Sequence, residues 1–178
     1  IDWVIEIGGS PHLIPNNLDG FLNQWLDELN PSAFLLSGGN DIGMFPKKDK
    51  TEVVIINYAK SKRIPILGIC RGAQFMAHYE GVNLTPVTKH VGNYHSLIGE
   101  EVSNGLLPKK VNSFHNFGML ECPNGYKLLA TASDGVIEAF QHETLPWEAW
   151  MWHPEREEPF SNLEINRAKR LLIEGQVL

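Results

Sequence analysis

The sequence predicts an α/β fold: a central, mostly parallel sheet between layers of helices, with antiparallel strands added in the second half. Three observations predict it. Short apolar runs alternate with helical periodicities through the first half. Two of those runs, residues 33–37 (A-F-L-L-S) and 64–69 (I-P-I-L-G-I), are apolar almost throughout, as strands covered on both faces are. From residue 97 onward the runs are separated by turn residues, with no helical stretch until the end, which favours antiparallel or mixed strands. A chain of 178 residues suits a single domain. At that length it buries about 70% of its unfolded surface, enough for a full core without staples.

The elements follow in order. Residues 1–7 read as the last turns of a helix, stopped by Gly8-Gly9. Residues 11–15 (P-H-L-I-P) read as a short strand. Residues 18–29 carry Phe21, Leu22, Trp25, Leu26 and Leu29 at helical spacing, and Asn30-Pro31 ends that helix. The strand at 33–37 closes on Gly38-Gly39. A helix over 52–63 leads to the strand at 64–69. A helix over 72–80 then sets Ala73, Met76 and Ala77 on one face and is capped by Gly81. Residues 97–102, 111–113, 126–131, 136–141 and 148–152 are strand candidates, and 163–174 is a final helix.

Composition excludes several functions. A hydrophobic fraction of 43% with 20% charged residues is that of a folded chain rather than a disordered one. A net charge of −6 disfavours a nucleic-acid partner, which demands a basic face. No apolar run approaches the roughly 20 residues of a membrane span, so no membrane partner is expected. Two cysteines rule out a disulfide scaffold and fit a reducing, cytoplasmic compartment. His12, His78, His90, His95 and His142 show no local ligand spacing, and there is no phosphate-binding G-x-x-x-x-G-K-[ST] loop. No metal and no cofactor are therefore expected.

The strongest local signal is Gly68-Ile69-Cys70-Arg71-Gly72, between a predicted strand and a predicted helix. This is a nucleophile elbow with cysteine at its apex. The turn forces strained backbone on the nucleophile, so its neighbours must be small. The helix N-terminus is expected to favour the thiolate, and the N–H of Arg71 to bind an oxyanion. A thiolate needs a base. His153, after the predicted strand 148–152, is extended by Pro154. In an extended chain residues two apart point the same way, so Glu155 can accept the imidazole N–H and fix its tautomer. The third element, Leu36-Ser37-Gly38-Gly39-Asn40, ends a strand in glycines that admit close approach of a ligand, and Gly39 can supply a second oxyanion N–H. Lys47, Lys48 and Lys50 follow that loop. They read either as a solvated loop or as contacts for an anionic leaving group. Trp147 reads as packing or as pocket rim.

Together these segments, with Val111-Asn112-Ser113-Phe114-His115-Asn116, resemble the class I glutamine amidotransferase-like superfamily, in its stand-alone γ-glutamyl hydrolase branch. The resemblance covers nearly the whole chain and implies a flavodoxin-like three-layer fold. It implies that Cys70 forms a γ-glutamyl thioester, that His153 moves the proton and Glu155 orients it, and that Gly39 and Arg71 form the oxyanion hole. It further implies that Gln74 holds the glutamyl head group and that Ser113, Phe114, His115 and Asn116 form the loop gripping its ends, His115 being as readily structural. It implies a strand and most of a helix upstream of Ile1, the strand being central in the sheet. One position departs from the pattern: Met151 stands where family members often carry Gln.

The length leaves no room for a fused synthetase, so the expected partner is a small γ-glutamyl conjugate. The short form of the family is similar to hydrolases of surface-polysaccharide clusters, one of which acts on γ-glutamyl-CDP-amidate. A glutaminase subunit with a separate synthetase and a non-catalytic binding module are the alternatives. Self-association stays open.

Overall fold

The molecule, described by a computed structural model over residues 1–177, begins in helix α1 (Asp2–Ile7), which ends where Gly8 adopts φ 100° and returns its N–H to the Ile5 carbonyl. Helix α2 (Leu22–Leu29) likewise ends in left-handed Asn30. Strand β1 (Phe34–Leu36), helix α3 (Pro46–Lys62), strand β2 (Ile66–Ile69) and helix α4 (Arg71–Tyr79) complete the alternating half. The second half holds β3 (Thr85–Pro86), β4 (Val91–Ser96), a short helix α5 (Glu100–Ser103), β5 (Lys110–Phe114), β6 (Phe117–Gly118), β7 (Tyr126–Thr131), β8 (Ile137–His142) and β9 (Trp147–Trp150). Helix α6 (Asn162–Leu172) follows.

The main sheet has five strands in the order β1-β2-β9-β8-β7. β1, β2 and β9 are parallel, while β8 is antiparallel to both its neighbours. Four of the five strands therefore run one way, the mixed and mostly parallel sheet expected. β3 pairs with β6 and β4 with β5 in two small antiparallel ribbons.

Side chains alternate between the two faces and divide the core in two. Ile66, Trp147, Ala149 and Met151 pack with Leu26 of α2, Ile55 and Ile56 of α3, and Phe75 and Met76 of α4. Leu67, Ile69, Trp150 and Trp152 pack with Trp3 and Ile7 of α1 and with Ala168 and Leu171 of α6. Trp150 and Trp152 stack with centroids 5.3 Å apart and planes 5° from parallel. This is a three-layer α/β/α arrangement.

The structure corrects three local expectations and decides a fourth residue between its two readings. Residues 11–15 form no strand. Two prolines remove donors from the segment, and a groove of about 750 Å³, lined by Pro11, Leu13 and Ile14 on one side and by Phe34 and Leu35 on the other, separates it from β1, so no ladder forms. The predicted loop of Lys47, Lys48 and Lys50 is instead the start of α3, with Pro46 at its first helical position. Residues 97–102 are not a strand: Ile98 makes one bridge to Thr131 and the chain then turns into α5, while the strand before it, β4, lies at 91–96. Trp147 is only 1% exposed and its indole N–H donates to the Ile64 carbonyl at 2.9 Å, which makes it core and not rim. No helix among the described residues is long and apolar enough to cross a membrane.

Candidate active site at the Cys70 elbow

β2 and β9 lie side by side in parallel register, Gly68 opposite Ala149 and Ile69 opposite Trp150. Their carboxyl ends therefore reach the same sheet edge, where sites of open α/β sheets form. Cys70 follows β2 at once. Its N–H donates to the Trp150 carbonyl at 2.7 Å, extending the ladder, and its carbonyl accepts the Gln74 N–H at 3.0 Å, opening α4. Between those bonds Cys70 takes φ 52° and ψ −104°, a conformation costly for any residue with a side chain. Small neighbours permit it. A Cβ on Gly68 would lie 2.7 Å from Met76 Sδ, and one on Gly72 would lie 1.9 Å from the Leu36 carbonyl oxygen.

His153 and Glu155 lie just beyond β9. The Nδ1–H of His153 donates to Glu155 Oε1 at 2.6 Å, which leaves Nε2 as the acceptor nitrogen. The route differs from the extended chain expected: Glu155 is reached through a 3₁₀ turn over Pro154–Arg156. Burial is the largest single influence and raises the Glu155 carboxyl, but the bond from His153, the charge of that ring, a backbone N–H and Arg156 together hold the group below its ordinary range. The Gly38-Gly39 loop presses on the imidazole from β1. A Cβ on Gly38 would lie 2.8 Å from His153 Cε1, so only glycine leaves the ring its place. Lys48 Nζ donates to the Gly38 carbonyl at 3.1 Å, turning that oxygen toward α3.

The remaining sequence-derived residues divide. Phe114 and Asn116 are exposed, and Phe114 meets the His153 ring edge to face at 5.9 Å. Ser113 and His115 are buried; the Ser113 hydroxyl donates to the His90 carbonyl at 2.8 Å and His115 Nδ1 donates to the Phe117 carbonyl at 2.9 Å. Those two shape the loop from within. Gln74 is 4% exposed, its amide donating to the same Phe117 carbonyl at 2.8 Å. Arg71 offers its backbone N–H to the Cys70 thiol, while its buried guanidinium pairs with Glu52 and Asp49.

Residues 3–165 match the model of the family described as glutamine amidotransferase class-I. The chain belongs to that family. Among its relatives is the γ-glutamyl-CDP-amidate hydrolase of Campylobacter jejuni, 36% identical over 139 residues, which cover 75% of this chain and 66% of that hydrolase. A glutamine-hydrolyzing GMP synthase subunit of Thermoplasma acidophilum is 32% identical over 167 residues, 88% of this chain and 78% of the relative. A solved structure described as a GMP synthase subunit from the same organism superposes with a TM-score of 0.75 at 26% identity, covering 96% of this chain and 83% of that one.

For this class I amidotransferase domain the structure revises the resting state of the thiol. Burial pushes Cys70 up to about 11, against the Arg71 N–H, which draws it down. The helix N-terminus does not leave a resting thiolate, because Cys70 is only 6% exposed and a charge on its sulfur would be poorly solvated. Alkylation of Cys70 by iodoacetamide, followed by mass spectrometry without ligand, is therefore expected to rise about tenfold per pH unit from pH 7 toward pH 10. A plateau at or below pH 8 would contradict this.

One positioning residue escaped the sequence reading. Asn112 of β5 donates to the His153 carbonyl at 2.8 Å and accepts the His153 N–H at 2.9 Å, clamping the backbone at His153 from both sides. It lies inside the V-N-S-F-H-N segment, but a buried amide on a strand carries no local signature of a contact with residue 153.

Proposed function

We propose that this chain hydrolyses a γ-glutamyl amide through a thioester on Cys70. One observation carries the reading: a cysteine strained into the elbow after β2, with the neighbouring strand followed, three residues on, by a histidine that is already hydrogen-bonded to a carboxylate. His153 Nε2 takes the thiol proton as the sulfur attacks the γ-carbonyl carbon. The N–H groups of Gly39 and Arg71 face the oxyanion that develops. Collapse expels the amine, which receives the proton from His153 and leaves a γ-glutamyl thioester. Water, deprotonated by the same nitrogen, then attacks the thioester and releases glutamate and the thiol. Gln74, Phe114 and Asn116 bind the glutamyl head, and buried Ser113 and His115 hold their loop in shape.

The finer reading is a phosphoramidate leaving group of the nucleotide class. Two features support it: the relative from C. jejuni is a γ-glutamyl-CDP-amidate hydrolase, and Lys47 and Lys50 stay exposed at the start of α3, which Lys48 fastens to the Gly38 loop. A second reading, a glutaminase subunit serving a separate synthetase, is supported by the likeness to the GMP synthase subunit of T. acidophilum.

Glutamate release from glutamine, a γ-glutamyl alkylamine and a γ-glutamyl nucleotide phosphoramidate tests these readings together. The phosphoramidate is expected to be cleaved fastest. Rapid turnover of the alkylamine alone would remove the finer reading, glutamine turnover that needs an added partner would favour the second, and no glutamate from any of them would overturn both. With the best substrate, Glu155→Gln is expected to lower kcat by about 10²-fold, because the amide cannot hold His153 in the same tautomer as firmly. An unchanged kcat would remove Glu155 from the mechanism.

A further inference from the structure

Four side chains from three parts of the chain meet between β8 and the β4–β5 ribbon. Glu138, on β8, is fully buried. Its Oε1 lies 3.3 Å from His90 Nδ1, 3.1 Å from His95 Nε2 and 3.5 Å from His115 Nε2. These distances are short, yet the atoms are not hydrogen-bonded to one another: His95 Nε2, His115 Nε2 and both Glu138 oxygens are buried without a hydrogen-bond partner.

The far sides of two rings explain why. His90 Nε2 lies 2.9 Å from Asp134 Oδ2, and His115 Nδ1 lies 2.9 Å from the Phe117 carbonyl oxygen. A carboxylate and a carbonyl only accept, so both nitrogens carry the proton. In the neutral rings, His90 Nδ1 and His115 Nε2 are then bare lone pairs, turned toward a carboxylate oxygen. The Ser113 hydroxyl, 3.5 Å from His90 Nδ1, is committed to the His90 carbonyl. Lone pairs that face one another in a dry interior repel unless something positive sits among them. Ligands at about 2.0–2.2 Å from a tetrahedral ion stand about 3.3–3.5 Å apart, close to the spacings around Glu138 Oε1. Nitrogens whose outer N–H groups are held by an acceptor are how metal-binding histidines are oriented.

We propose that His90, His95 and Glu138, whose ligand atoms lie within 4.8 Å of one another, bind a divalent ion of the zinc class, with His115 as the fourth donor. Imidazole with carboxylate is the donor set that such an ion takes. Four protein ligands leave no open position, so the ion is structural. It joins the β4–β5 ribbon, and with it the loop at 113–116, to β8. The expectation of no metal rested on ligand spacing along the chain, and these ligands come from three separate places in it, His90 and His95 sharing one.

The test uses the full chain carrying Cys70→Ala, so that the thiol cannot hold the ion, stripped with a chelator and titrated with Zn²⁺ alone. The expected result is one ion per chain by elemental analysis, with Kd at or below about 1 μM and a higher Tm when loaded. Co²⁺ in its place is expected to give the intense visible absorption of a four-coordinate site. His95→Ala, at the least buried ligand, is expected to weaken Zn²⁺ at least 100-fold while the circular dichroism stays native, and Glu138→Gln to do the same or more. Binding no tighter than millimolar in the parent, or binding unchanged by His95→Ala, would overturn the proposal. In that case the four groups are an imidazolium–carboxylate cluster.

Discussion

Replacing Cys70 with alanine is expected to lower kcat for γ-glutamyl amide hydrolysis by about 10⁴-fold or more, since loss of a nucleophile leaves only what the oxyanion site and binding contribute. KM should move little, because the groups proposed to hold the glutamyl head are untouched. Stability should hold as well. The change removes one sulfur from a small buried site, a loss of about 1 kcal/mol, or about 2–4 °C in Tm for a chain of this size. Rapid-quench mass spectrometry completes the comparison: the wild-type chain should show a γ-glutamyl adduct on Cys70, and the variant none. Retained turnover with intact fold would exclude the cysteine mechanism, and it would do so whatever the leaving group proves to be.

Gly72→Ala is expected to act through the backbone. The new Cβ would lie 1.9 Å from the Leu36 carbonyl oxygen, 2.6 Å from its carbon and 2.8 Å from Leu36 Cβ. None of these is the end of a flexible side chain, so relief requires α4 to back away from β1. Cys70 and Arg71 open α4 and must move with it. The expected cost is about 3 kcal/mol or more, read as a fall in Tm of about 6–12 °C. A shift near 1 Å at the elbow should also lower kcat about 10²-fold. Gly20→Ala, where a Cβ meets nothing within 4 Å, is the control and should stay within about 0.5 kcal/mol of the parent. Equal stability of the two variants would show that the elbow does not rest on β1 as described.

The parts of this fold legible in the sequence were those where one local cause dominated. The run at 64–69 followed by Gly-x-Cys-x-Gly revealed both β2 and the elbow, because a buried strand must be apolar and a tight turn must be small. β8 and β9 were legible as short runs set apart by turn residues, although they bury Glu138, Gln141 and Glu148. Residues 97–102 misled because Leu97, Ile98 and Val102 supply the apolar residues of a strand, whereas Val102 is buried from α5, which begins straight after Gly99. The first turns of α3 were hidden by their lysines, whose solvated faces look like a loop. At the site, the His153–Glu155 pair and the strained turn at Cys70 could each be anticipated from residue type and spacing. The state of the thiol could not, since it depends on how much protein surrounds the sulfur. Neither could the meeting of His90, His95, His115 and Glu138, which tertiary pairing alone brings about.

The position of β9 has a consequence for how the molecule comes into being. It is late in the chain, yet it sits in the middle of the sheet, between β2 and β8. Cys70 leaves the ribosome long before His153, and its elbow lacks the Trp150 carbonyl that receives its N–H until β9 docks. Such long-range parallel pairing is slow, because loop closure precedes its reward. The elbow is therefore expected to be completed late, and recovery of glutamate release after dilution from denaturant is expected to lag behind collapse of the chain, as stopped-flow fluorescence beside an activity assay would read.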